Sequence, residues 1–372
     1  MFKQKYQLSN MNWMLLVAVT TITIMSVVFV SSADSSYTVR QISGLLFCTV
    51  VMLVLTFVNY NYICGFSQIL YIINILMLVL VKIIGVRVGG AKRWINLGFT
   101  RMQPSEFSKI ILILFVAVYI QEHEDDFNEP KVLMRLAGLL AVPILLILAE
   151  PDLSTTMDIC LVLAAVIFVG NLNAKLIRNA FLIMVPLSVL FLWYIQTPNQ
   201  ILLKDYQVTR IMTFFNPSKY ASSTAYQQDN SVMAIGSGQL YGKGLKNNTI
   251  SDVSVTVTES GLVSEQQTDF IFSVVGEEMG FIGSMIIIGL YLVIVIECLK
   301  TAYWARNISG KLICVGMAAL IGFQSFINIG VATAMLPNTG LPLPFVSYGL
   351  TSLLSLMGGI GMVLNIGLQR RY

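Results

Sequence analysis

The chain has 372 residues, of which 56% are hydrophobic and only 11% charged, and its mean hydropathy is +0.77. A water-soluble domain has too little interior to hide that much apolar surface, so the sequence reads as an all-α, polytopic membrane protein. The net charge of +4 is small and spread through loops, which argues against nucleic acid as a partner. The five cysteines (Cys48, Cys64, Cys160, Cys298 and Cys314) lie in or beside apolar runs without a CxxC spacing, so they read as small buried hydrophobes. The single histidine, His123, sits in an acidic loop, and any chemistry that needs histidine is limited to that loop.

The first apolar run, 12–30, follows Lys3 and Lys5 and is longer than the roughly 7–15 residues of a cleaved signal's core. It reads as an uncleaved signal anchor with its N-terminus inside. Further spans are expected at 42–58, 69–86, 106–121, 133–149, 157–170, 180–196, 279–299, 310–333 and 346–368, each near the ~20 residues that a bilayer needs. The 157–170 segment is short and open to being broken or re-entrant. Ten spans return both termini to one side. That arrangement puts Lys175, Arg178, Lys300, Arg306, Lys311, Arg370 and Arg371 inside with Lys3 and Lys5, as the positive-inside rule asks. The acidic 122–132 loop falls on the same side, where acids weigh little.

The 87–105 loop is the exception, external yet carrying Arg87, Lys92, Arg93 and Arg101. Basic groups held against the topological preference point to an anionic ligand on the outer face; the alternative is side chains that snorkel to lipid phosphates. Trp94 in this loop suits either the interface belt or a sugar-stacking platform. Pro104 suits the first turn of the next helix, where Glu106 and Lys109 lie three apart on one face. They form either a self-neutralising pair or, through Lys109 with Arg93 and Arg101, part of a basic rim for a phosphate or pyrophosphate.

In AEPDLSTT (149–156) Glu150 and Asp152 flank Pro151 between two spans, with Asp158 just beyond. Carboxylates there face a cavity more readily than lipid, and serve either to bind a divalent cation or as a general base. Asp152 is the candidate metal ligand. The segment from about 197 to 268 is the one large extracellular loop, too long for a passive connector. It holds Pro198, Pro217, a Ser/Thr/Tyr/Gln-rich stretch (219–231) and a Gly-rich turn, GSGQLYGKG (236–244). The turn resembles a phosphate cradle but lacks the strand–loop–helix setting of a P-loop.

Ser264 to Gly283 places Asp269, Glu277 and Glu278 at the mouth of an apolar run that continues to Leu299. Acids at that depth cost several kcal/mol unless paired or hydrated, which makes them functional candidates. The run from Thr268 exceeds one span, and a break at Gly276, Gly280 or Gly283 would fold it back over the cavity. Asp269 then ends the long loop as the reacting group, about 15 Å above the bilayer edge if its lead-in is helical. Glu277 and Glu278 support the helix entrance by pairing with basic residues of the outer rim. The last external loop, NTGLPLPFVSYG (338–349), is stiffened by two prolines, and its Ser347 and Tyr348 are interface donors or caps. The unusual polar groups thus converge on the outer face, which implies an anionic, amphipathic, membrane-delivered substrate.

These motifs, in this order, resemble the SEDS family (shape, elongation, division and sporulation), which includes RodA, FtsW and SpoVE. They are GGAKRWINLG with QPSEFSK (89–98, 103–109), EPDLST (150–155), AIGSGQLYGKG (234–244), QTDFIFSVVGEEMGFIG (267–283) and GLPLPFVSYG (340–349). The near-absence of long cytoplasmic tails looks more like the RodA branch. The resemblance covers residues 1–372 as a single integral membrane domain and implies a ten-helix peptidoglycan glycosyltransferase. Such an enzyme polymerises lipid II on the outer face of the bacterial cytoplasmic membrane, releasing undecaprenyl pyrophosphate, and works with a class B penicillin-binding protein.

The resemblance implies Asp269 as the catalytic residue, and Arg93, Trp94, Arg101, Glu106, Lys109 and Asp152 in substrate binding or activity. Lys243, Ser347 and Tyr348 count as further substrate-binding candidates, and the cofactor expected is at most a divalent cation, Mg2+ or Mn2+. The chain departs from the family pattern at Gln267, where histidine is usual, and in SYGLTS (347–352) and PDLST (151–155). The rival reading is a lipid II flippase without covalent chemistry, whose mark would be repeat-related broken helices at the midplane. A scaffold for wall enzymes is a third reading, and it explains neither the basic loop nor Asp269.

Overall fold

The computed structural model describes residues 10–88, 91–96, 98, 101–195, 197, 205–215, 224–245 and 265–369. The basic termini (Lys3, Lys5, Arg370, Arg371), Pro198, Pro217, the start of the Ser/Thr-rich stretch, Gly89, Gly90 and Leu97 lie outside the described residues. In chain order the helices are α1 (Trp13–Ala33), α2 (Thr38–Phe57), α3 (Tyr60–Gly65), α4 (Ser67–Ile84), α5 (Pro104–Glu122), α6 (Pro130–Ala149) and α7 (Leu153–Val169). There follow α8 (Ala174–Ile195), α9 (Asp205–Phe215), α10 (Thr224–Ser237), α11 (Ile271–Tyr303), α12 (Ile308–Ala332) and α13 (Leu350–Leu368). Among the described residues nine helices are long and apolar enough to cross a membrane, and α7 adds a shorter apolar helix. These ten coincide with the ten expected spans. The segment read as broken or re-entrant is one unbroken helix of 17 residues, N-capped by Asp152 through the Thr155 amide.

The chain is a multi-pass membrane protein built around α5. That helix packs against α4, α6, α7, α12 and α13, and most of its side chains are buried. The outer helices turn apolar side chains away from the bundle, as they must where the solvent is lipid. On α8, Leu182, Ile183, Val185, Leu187 and Leu190 are all exposed. Cys48, Cys298 and Cys314 are buried as expected, but Cys160 faces outward. A cysteine tolerates that position because its thiol is only weakly polar.

One part of the fold is not helical. The basic 87–105 loop forms a small antiparallel sheet of β1 (Val86–Val88), β2 (Ala91–Asn96) and β3 (Arg101–Met102). Arg87 stands opposite Lys92, and Asn96 opposite Arg101. Pairing fixes which bases point out: Lys92 and Arg101 are exposed, whereas Arg93 is half-buried toward the bundle.

The long run of α11 breaks at Gly280, where φ is 65° and ψ is −159°. That conformation is open to glycine and strained for residues with a Cβ. A break strands backbone groups that a membrane cannot hydrate. Here the Gly-rich turn satisfies them reciprocally: the Lys243 and Gly244 amides donate to the Glu277 and Glu278 carbonyls, and the Phe281 and Ile282 amides donate to the Gln239 and Leu240 carbonyls. A Cβ on Gly280 would lie 2.3 Å from the Gly242 nitrogen. Gly280→Val should therefore cost at least about 1–3 kcal/mol and lower the thermal unfolding midpoint, with the 238–244 turn becoming protease-sensitive. An unchanged midpoint and cleavage pattern would contradict this lock.

Candidate active site

The polar groups collect at one end of the bundle, where α7 and α11 begin and α6 and α12 end. Asp269 lies two residues before α11 and is held by its backbone. Its amide donates to the Glu265 carbonyl (3.1 Å), and its carbonyl accepts from Asn328 Nδ2 of α12 (2.8 Å). The same Asn328 amide group donates to the Leu341 carbonyl (2.7 Å), tying Asp269 to the proline-rich loop. The Tyr348 amide donates to the Gln267 carbonyl at 2.8 Å, and the Ser347 hydroxyl donates to the Thr268 carbonyl. The Asp269 side chain is thus positioned through its backbone, by hydrogen bonds that do not use its own oxygens.

The Asp269 carboxylate is half-buried. Burial raises its pKa to about 6; the Arg210 and Arg93 guanidiniums pull it down, and the Glu265 and Asp152 carboxylates push it up. Arg210, on α9, donates to the Thr339 carbonyl at 3.1 Å, beside Gly340. The Ser154 hydroxyl of α7 donates to the same carbonyl.

A second constellation abuts the first. Arg93 of β2 donates from Nε to the Glu150 carbonyl (3.3 Å) and from Nη2 to the Pro151 carbonyl, with Nη1 3.7 Å from Asp152 Oδ2. Asp152 Oδ1 caps α7, and Oδ2 also accepts from Gln103 Nε2 at 3.2 Å. Glu150 is buried, and among the described residues neither of its carboxyl oxygens has a hydrogen-bond partner. Desolvation, with Asp152 adding to it and Lys82 and Arg93 opposing it, pushes this carboxyl up to about 8.

Below these groups lies a buried ion cluster. Lys109 Nζ is 2.8 Å from Glu106 and 3.8 Å from Asp158 of α7, and donates to Gln324 Oε1 of α12 at 3.2 Å. Gln324 Nε2 in turn donates to the Pro342 carbonyl at 2.8 Å. A polar chain therefore runs from the central helix to the loop that flanks Asp269.

The sequence matches the cell cycle protein family of FtsW, RodA and SpoVE over residues 6–372. The chain belongs to the FtsW/RodA/SpoVE family. Among its relatives, the peptidoglycan glycosyltransferase MrdB of Escherichia coli K12 is 33% identical over 374 residues, covering 100% of this chain and 96% of that one. A probable peptidoglycan glycosyltransferase FtsW of Acinetobacter baylyi is 33% identical over 300 residues, 80% of this chain and 71% of that one. In structure the chain resembles a component of a peptidoglycan synthase complex, described for its coordination of polymerization and crosslinking. The two share a TM-score of 0.80 and 27% identity over 97% of this chain and 98% of that one. It also resembles the rod shape determining protein RodA of Thermus thermophilus, with a TM-score of 0.69 and 25% identity over 97% and 98% of the two chains.

Within this member of the FtsW/RodA/SpoVE family, Asp269, Arg93 and Asp152 are brought together as the motifs suggested, and half-buried Trp94 and exposed Arg101 lie on the sheet beside them. Five candidates take other positions. Lys109 and Glu106 are buried in the ion cluster and form no surface rim. Lys243 is 2.7 Å from Glu277 Oε1 in the α11 lock, so the Gly-rich turn is a packing device whose amides are already used. Ser347 accepts from the Leu343 amide (2.7 Å) as well as donating to Thr268, and Tyr348 stacks on Tyr37, so both brace the loop.

Glu277 pairs with Lys243 of the Gly-rich turn in place of the expected outer-rim bases, and Glu278 accepts from the Ser32 hydroxyl. Asp269 sits against α12, one turn before that helix's end. Among the described residues no group of three or more His, Cys, Asp or Glu is placed to hold a metal. Asp152 has both oxygens engaged and a guanidinium beside it, so the donor set does not fit a resident divalent cation.

Three residues carry weight that the motifs did not reveal. Gln324 and Asn328 are amides four apart in an apolar span, a spacing that marks one buried polar face. Arg210 gives no signal beyond a basic residue within the long loop. Lys109→Met should be the most damaging change in the bundle, because it leaves two buried carboxylates uncompensated at about 3–5 kcal/mol. Folded yield by size-exclusion chromatography should collapse and return in part when Glu106→Gln and Asp158→Asn are added. Normal yield from the single variant would contradict the cluster's structural role.

Proposed function

We propose that this chain is a peptidoglycan glycosyltransferase that polymerises lipid II on the outer face of the cytoplasmic membrane, with Asp269 as the general base. The observation that carries the reading is a half-buried carboxylate whose oxygens are free of ion pairs among the described residues, at the bundle end where the basic sheet lies. Its raised pKa, about 6, keeps it largely ionised at neutral pH while leaving it a competent proton acceptor. Family membership, and relatives named as peptidoglycan glycosyltransferases, support the same chemistry.

In the reaction, the 4-hydroxyl of the acceptor's terminal GlcNAc gives its proton to Asp269 as its oxygen bonds to the anomeric carbon of the donor's MurNAc. The bond from that carbon to undecaprenyl pyrophosphate breaks, its electron pair leaves with the pyrophosphate, and inversion yields the β-1,4 link. Charge builds on the leaving group, which Arg93 is placed to stabilise, with exposed Arg101 attracting the pyrophosphate from solvent. A class B penicillin-binding protein is the proposed partner, and the likeness to a chain of a peptidoglycan synthase complex supports it.

Asp269→Asn preserves shape but removes the base, and should lower glycan synthesis from purified lipid II by about 10²–10⁴-fold. Expression and thermal stability should stay near wild type. Gel separation of the glycan strands reads the outcome; wild-type rates in the variant would sink the assignment, and translocation of lipid II without any strand synthesis would favour a flippase.

A further inference from the structure

Gly340 adopts a left-handed φ of 74°, and the face where a side chain would stand is not empty of chemistry. A Cβ built there would meet Asp269 Oδ2 at 3.2 Å, Arg210 Nη1 at 3.5 Å and Arg210 Nη2 at 3.9 Å. The Asp269 oxygen and the nearer guanidinium nitrogen thus flank the bare Cα of Gly340 from one side, a strong acceptor beside a strong donor. The guanidinium is fixed in that position by its bond to the Thr339 carbonyl, which the α7 hydroxyl of Ser154 also holds.

Few small groups complement that set. A carboxylate or phosphate oxygen would satisfy the guanidinium but meet repulsion from Asp269. An ammonium would do the reverse. A hydroxyl fits both, donating its proton to the carboxylate while its lone pair accepts from the guanidinium. Donation from Arg210 also draws electron density from the hydroxyl oxygen and eases loss of its proton.

We propose that the attacking sugar hydroxyl of the acceptor docks between Asp269 and Arg210, and that Arg210 is its positioning residue. The inference rests on the reading of Asp269 as base and adds where the acceptor oxygen lies. Glycine is favoured at 340 on two counts: a Cβ would press on Asp269 Oδ2 at 3.2 Å, and the backbone conformation disfavours one. Arg210 also sets the ionisation of the base, in a field shared with Glu265 of the preceding turn, Arg93 of β2 and Asp152 before α7. The guanidinium favours the ionised carboxylate, so removing it raises the pKa of Asp269, and the acid limb of the rate profile moves to higher pH.

The test uses the full chain in lipid nanodiscs with lipid II as substrate, recording kcat and KM from pH 5 to 8. Arg210→Gln should lower kcat/KM by about 100-fold and move the acid limb upward. Arg210→Lys should restore the position of the limb without restoring the full rate, because an ammonium lacks the two-nitrogen fork. Gly340→Ala should impair turnover while Arg210 and Asp269 remain in place. Wild-type kinetics and an unmoved limb in Arg210→Gln, with Asp269→Asn still inactive, would overturn this inference and leave the base intact. Activity in Asp269→Asn would instead remove the reading on which it rests. Loss of rate in Arg210→Gln with no movement of the limb would assign Arg210 a structural role only and overturn the proposal.

Discussion

For the general base proposed above, a carboxylate has to be held still without being neutralised. Asp269 meets that constraint through its backbone: Glu265, Asn328, Ser347 and Tyr348 grip the peptide groups on either side, leaving the side chain to its surroundings. Partial burial then does what an ion pair would undo, raising the affinity for a proton. Nearby cations moderate the effect without cancelling it.

The rest of the bundle serves this arrangement. Polar groups inside a membrane are tolerated when each finds a partner, and here the partners form a continuous strut. Lys109 is neutralised by Glu106 and Asp158, passes through Gln324 to Pro342, and so fixes the loop that faces Asp269. On the other side, the α11 break and the Gly-rich turn satisfy each other's backbone groups, while the buried Lys243–Glu277 pair pins the turn. Replacing these polar contacts with apolar ones would preserve a bundle but lose the fixed heights of the loop and the α11 entrance.

The spans were legible because lipid imposes length and hydropathy on every crossing segment, and the motifs of Arg93, Asp152 and Asp269, far apart in the chain, meet at one end of the bundle. The break in α11 was visible only as a choice among Gly276, Gly280 and Gly283, since backbone dihedrals are set by what packs on the glycine. The sheet escaped notice: its strands are two to six residues long and carry bases on both sides of the alternation. Lys109 and Ser347 stayed open to both a structural and a substrate-facing role, and Lys243 counted as substrate-binding, because a charge or hydroxyl in a motif does not reveal whether it faces substrate or another element. Arg210 was invisible for a different reason. Its neighbours Thr339 and Gly340 come from the far end of the chain, and only the fold brings them together.

The central claim is that Asp269 acts as a base from a half-buried position, and the pH dependence of lipid II polymerisation tests it most directly. The account predicts a kcat/KM profile whose acid limb reflects one ionisation near pH 6, the value to which burial lifts this carboxyl. A limb near pH 4, where an unperturbed carboxylate titrates, or a rate independent of pH through this range, would contradict it.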